Sequence, residues 1–109
     1  MTKDELSRII KTDIEKNDIN NWHGISKDNI EEHLIDPILL EFITGWNSQT
    51  KKYWLVLDEK PNEPDKGYQI VYDQEENMFG LATKADLTSK GLGVLFGLYG
   101  SFITTLNGM

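Results

Sequence analysis

Four short runs of aromatic and branched aliphatic residues, Tyr53–Leu57, Tyr68–Tyr72, Phe79–Thr83 and Val94–Leu98, constrain this chain more than anything else in it. Such side chains favour the pleated, half-buried surface of a strand. The segments between them carry breakers: Pro61, Pro64 and Gly67 after the first run, and the polar turn Asp73–Asn77 after the second. A polar loop over 84–91 precedes the fourth. The first links are too short for a crossover, so the runs are expected to pair as antiparallel neighbours in a meander.

The first half has a different period. Thr2 with Glu5 three residues later matches a capping box, and Leu6, Ile9, Ile10 and Ile14 follow at helical spacing. The pattern predicts a helix over 3–16, broken by Asn17-Asp18 and Asn20-Asn21. Ser26–Asn29 can open a second helix carrying Ile30 and Leu34. For 37–44 two readings stand. Asp36-Pro37 is a good helix start, with Ile38, Leu39, Phe42 and Ile43 as its apolar stripe and Gly45 as its cap. The same segment is apolar enough to be a strand. Ser101 can cap a last short helix bearing Phe102, Ile103 and Leu106. The whole reads as a single α+β domain, 1–109, with helices on a small antiparallel sheet.

Charge excludes some functions. The formal net charge is −7, and the bases are ten lysines and the single Arg8. Nucleic-acid binders need clustered cations, and they use arginine to read bases. Neither is present, and acidity also disfavours anionic membrane surfaces. Cysteine is absent, which removes disulfides, thiolate nucleophiles and cysteine zinc sites, and fits a reducing, cytoplasmic compartment. No apolar leader precedes the first charged residues. The uncharged stretch Leu92–Met109 holds too many glycines and hydroxyls for a membrane span.

The chemical motifs are sparse. Asp73-Gln74-Glu75-Glu76-Asn77 has the oxygen spacing of a calcium loop, but Met78 stands where glycine is needed and Lys84 where the bidentate acid belongs. Gly91-Leu92-Gly93 with Gly97 leaves too little chain for a nucleotide-binding unit. His23 and His33 form no metal-binding pair by spacing, and Ser101 lies in no nucleophile elbow. No catalytic, metal or cofactor-binding residue is therefore assigned. Trp54 is expected in the core, whereas Trp22 and Trp46 fall in loops where tryptophan can anchor a partner or equally cover the edge of the core.

The segment Asp36-Pro37-Ile38-Leu39-Leu40-Glu41-Phe42-Ile43-Thr44-Gly45-Trp46-Asn47 resembles the proline-initiated helix motif of the SUKH immunity superfamily. Ser48 stands where that motif's Asn-Gly turn has glycine. The run Tyr68–Asp73 and the terminal Gly100-Ser101-Phe102-Ile103-Thr104-Thr105-Leu106 are similar in kind and order to later parts of the family. The chain end also resembles small bacterial proteins with a Gly-x-Tyr-Gly-Ser-Phe-type segment. What the resemblance implies is a non-enzymatic inhibitor that binds a cognate toxin domain, with no catalytic residues to carry over.

The leading expectation is thus an acidic module for a basic protein partner. Asp58, Glu59, Glu63 and Asp65 on one sheet loop, and Asp73, Glu75 and Glu76 on the next, would steer that partner, and Trp46 would anchor it. The alternative is a small-ligand or enzymatic domain, with a pocket between sheet and helices lined by His33, Tyr72 or Tyr99. A third reading is a homo-oligomer pairing through a sheet edge.

Overall fold

A computed structural model describes residues 1–21, 23–44, 49–84 and 92–109. Helix α1 spans Lys3–Lys16 and α2 spans Ile30–His33; strand β1 is Leu34–Ile43, β2 Thr50–Asp58, β3 Tyr68–Asp73, β4 Met78–Thr83 and β5 Gly93–Gly100; helix α3 is Phe102–Asn107. The molecule is α+β, as its sequence pattern implies.

Helix α1 starts where the capping box places it. Thr2 Oγ1 accepts the Glu5 backbone N–H at 3.2 Å, relieving one of the unpaired donors at a helix start. Leu6 and Ile10, one turn apart, are the side chains of α1 buried in the core. Helix α3 is capped twice. Ser101 Oγ accepts from Thr104 N at 3.1 Å, and Asp13 Oδ2, reaching from α1, accepts from Ile103 N at 2.9 Å. Asn107 fastens the other end, its Oδ1 accepting from Asn20 N at 2.8 Å.

The second helix is much shorter than the sequence suggests, and 37–44 is strand. Proline disfavours helical backbone in the residue before it, and β1 places Pro37 in the register gap between Leu34 and Ile38, where no ladder donor is required. From Ile38 to Ile43 every residue of β1 has an antiparallel partner on β2. Those long-range pairs outweigh the local helix signal.

The strands pair in sequence order and close into a barrel. An up-and-down meander with an odd number of strands must bring its first and last strands together in parallel. Phe42 accordingly pairs with Gly93, and Ile43 with Val94. Strands β4 and β5 approach so closely that a Cβ on Gly80 would lie 2.5 Å from the Gly97 carbonyl oxygen, and one on Gly93 would lie 2.6 Å from that of Thr83.

Alternation along the strands produces two cores. On the helix-covered face, Val56, Leu57, Ile70, Tyr72, Phe79 and Leu81 pack with Leu6, Ile10, Phe102, Ile103 and Leu106. The rings of Tyr72 and Phe79 lie 4.8 Å apart, and Phe79 meets Phe102 edge-on at 5.7 Å. On the enclosed face, Phe42, Tyr53, Leu55, Val71 and Ala82 form a smaller cluster. Full burial of a large apolar side chain contributes about 1.5–3 kcal/mol, so the larger cluster supplies most of the driving force.

Candidate functional site

The loops expected to carry function leave β3 at its two ends. One precedes Tyr68 and the other follows Asp73. Five residue steps of about 3.3 Å put them roughly 17 Å apart, so they form two separate acidic points.

At the first end the loop carboxylates divide by burial. Asp58 and Glu59 are buried. Asp58 Oδ1 takes the Lys84 ammonium at 2.9 Å and the Lys60 backbone N–H at 3.0 Å. Lys84 also donates to the backbone carbonyls of Lys60 and Glu63, tying the proline-bearing loop to the end of β4. Glu59 accepts from Tyr68 N at 3.0 Å and meets His23 Nδ1 at 2.8 Å. His33 Nδ1 donates to the Asp58 carbonyl at 3.2 Å. Both histidines thus hold adjacent loop residues, which accounts for them structurally. Asp65 is exposed and Glu63 is half-exposed.

At the second end Asp73 is buried. Its Oδ1 accepts from the N–H groups of Glu75 and Glu76, and its Oδ2 takes the Lys51 ammonium at 2.8 Å. Burial opposes ionisation, yet Lys51 and the two N–H groups outweigh it and hold the carboxyl below the usual carboxylate range. The same bond, chiefly, raises Lys51 above the ordinary lysine range. Asn77 closes this turn in the left-handed region at φ 55°, accepting the Tyr72 hydroxyl. Glu75 and Glu76 face solvent, although Glu75 also reaches Lys51 at 3.3 Å.

The expectation that all seven carboxylates are available to a partner is therefore corrected for three. Asp58, Glu59 and Asp73 are consumed inside the fold, while Glu63, Asp65, Glu75 and Glu76 remain at the surface. Trp22, Trp46 and most of the loop over 84–91 lie outside the described residues. Trp54, expected in the core, is only partly buried against the larger cluster, because its indole N–H reaches out to Gln74 Oε1 at 3.3 Å.

The fold also redistributes charge. Lys84, just past β4, and Lys51, on β2, come to the two acidic ends, and Lys60 and Lys66 flank Glu63. The less compensated stretch is 27–43, where Asp28, Glu31, Glu32, Asp36 and Glu41 face Lys27 as the one base in sequence. There, too, Ile38, Leu39 and Leu40 are 47%, 39% and 39% exposed. In sequence the apolar part of this stretch suits a helix stripe or a strand, and neither reading marks it as a surface. Its lack of alternation was the available signal. Phe96 and Tyr99 on β5 are exposed as well.

Four surface hollows have volumes of about 350 to 670 Å³. One of about 650 Å³ lies between α1 and β1, over Ile10, Leu34 and Val56, with Arg8, Lys11, Glu31 and Asp36 at its rim. His33, Tyr72 and Tyr99 line none of the four. Among the described residues no three histidine or carboxylate side chains gather as a metal cradle, and no helix is long and apolar enough to cross a membrane.

No protein-family model, curated protein or solved structure matches the chain.

Proposed function

We propose that this chain is a non-enzymatic acidic binding module for a basic protein surface, and that its specific role is to neutralise a basic toxin domain in the cytoplasm. The observation that carries the reading is the separation of the carboxylates into two sets. One set is buried and builds the loops. The other, Glu63, Asp65, Glu75 and Glu76, faces water on those loops at both ends of β3. Preset surface charge speeds encounter with an oppositely charged partner and fixes its orientation. The toxin role comes from the resemblance to immunity proteins, and a chain without cysteine suits a reducing compartment.

The test is affinity capture from the native host, using the chain as it is and a variant carrying Glu63→Lys, Asp65→Lys, Glu75→Lys and Glu76→Lys. The reading expects a basic protein held by the first, released by salt, and absent from the second. Equal retention on both would remove it. A second reading, a small-ligand domain, is favoured by the hollow between α1 and β1, whose apolar floor and mixed-charge rim suit a small zwitterion. Saturable binding of such a molecule, weakened by Arg8→Ala, would support that reading.

A further inference from the structure

Successive side chains of a strand point to opposite faces, so a strand in a covered sheet hides at least every second one. Strand β1 breaks this rule over four residues, Ile38–Glu41. Ile38 pairs with Leu55 and Leu40 with Tyr53, and both partners are buried in the enclosed core. Leu39 pairs with Trp54 on the helix-covered face. Yet Ile38, Leu39 and Leu40 are all exposed. Pro37 before the stretch and Phe42 after it are buried, and β5 pairs with β1 only at Phe42 and Ile43, so Ile38–Leu40 stand out as a two-sided apolar ridge. Contiguous exposed apolar surface on a small protein marks an interaction site more often than chance.

The charges around the ridge select its occupant. Asp36 lies in β1 itself and is bridged by Lys3 at 3.0 Å. Glu41 stands across from Lys52. Glu31 and Glu32, on the helix leading into β1, are exposed and take part in no ion pair among the described residues, although Glu31 shares the rim of the α1–β1 hollow with Arg8 and Lys11. A second copy in two-fold contact would set this acidic stretch against itself, in a molecule of net charge −7. An anionic lipid surface meets the same repulsion.

We propose that the Ile38–Leu40 ridge docks an extended segment of a basic protein, apolar side chains lying on the ridge and flanking lysines or arginines facing Glu31 and Glu32. This deepens the reading above and rests on it. The four solvent-facing carboxylates of the β3 ends act in encounter, and the ridge acts in the closed complex.

The probe is a short peptide alternating lysine and valine, titrated into the full chain labelled for amide NMR. The expected result is shifts centred on 36–41, with Ile38→Ser plus Leu40→Ser weakening binding about tenfold, a loss of about 1.4 kcal/mol. Ile9→Ser, at an exposed apolar residue on α1 away from the ridge, should leave binding unchanged. If the double variant unfolds, Leu39→Lys replaces it and should weaken the lysine peptide while strengthening a glutamate–valine counterpart. Three outcomes overturn the ridge: unchanged affinity in the variants, equal binding of the glutamate–valine peptide to the unaltered chain, or self-association by light scattering that the double variant abolishes. Shifts confined to Glu63, Asp65, Glu75 and Glu76 would overturn the ridge and leave the acidic reading standing. No shift anywhere would remove both.

Discussion

Two lysine–aspartate pairs hold the ends of the sheet, and their side chains set what single substitutions cost. Lys84 is nearly buried and bonds Asp58 together with two loop carbonyls. Lys84→Met leaves the buried Asp58 carboxylate without its cation and two loop carbonyls without that donor. Urea unfolding should show a loss of about 3–5 kcal/mol, the range for breaking a buried pair from one side. Asp73→Asn should cost less, about 1–3 kcal/mol, because Lys51 is partly in water and the amide oxygen still accepts from the turn. Its pH signature is distinct. The folded Asp73 pKa is depressed, so its contribution is complete above the unfolded value of about 3.9 and is lost as pH falls below that toward the folded value. Acid titration of stability should therefore be shallower in Asp73→Asn than in the parent chain. None of this was legible residue by residue. The sequence shows seven acids in two loops, but the side chains that take up three of them, an imidazole and two ammonium groups, arrive from positions 23, 51 and 84.

Elements read more easily than residues. The runs at 53–57, 68–72, 79–83 and 94–98 all lie within strands, and α1 begins at its Thr2 cap. Local grammar decides these cases: alternation, breakers and a hydroxyl followed by a carboxylate. It failed to decide 37–44, where a proline start and an apolar stripe suit either state and the arbiter is pairing with β2. It also could not show that Asp13, inside α1, caps α3 through the backbone N–H of Ile103, ninety residues later. Ser101→Ala and Asp13→Ala should each destabilise by about 1 kcal/mol. A double-mutant cycle should find them coupled, since both satisfy the first turn of α3. Gly80→Ala should cost about 1–3 kcal/mol, because the added methyl meets the Gly97 carbonyl across the β4–β5 pair.

At the scale of the molecule, barrel closure places ionisable groups where each end of the pH range weakens the fold. Burial raises Tyr53, and burial with the neighbouring Asp73 charge raises Tyr72; Lys51 is raised by its bond to Asp73. A raised pKa contributes stability that is complete below the unfolded value, about 10 for these groups, and is lost as pH rises through the folded one. Thermal unfolding followed upward from about pH 9 should show falling midpoints, and Tyr72→Phe should flatten the fall. Closure also fixes which carboxylates meet the outside, and the account of function depends on that division. The most direct test is the association rate of the captured basic partner, measured at about 0.05 M and about 0.5 M salt, for the parent chain and for the chain with Glu63, Asp65, Glu75 and Glu76 reversed to lysine. The account predicts a rate that drops steeply with salt in the first and is slow and nearly flat in the second; the same rate and the same salt slope in both would contradict it.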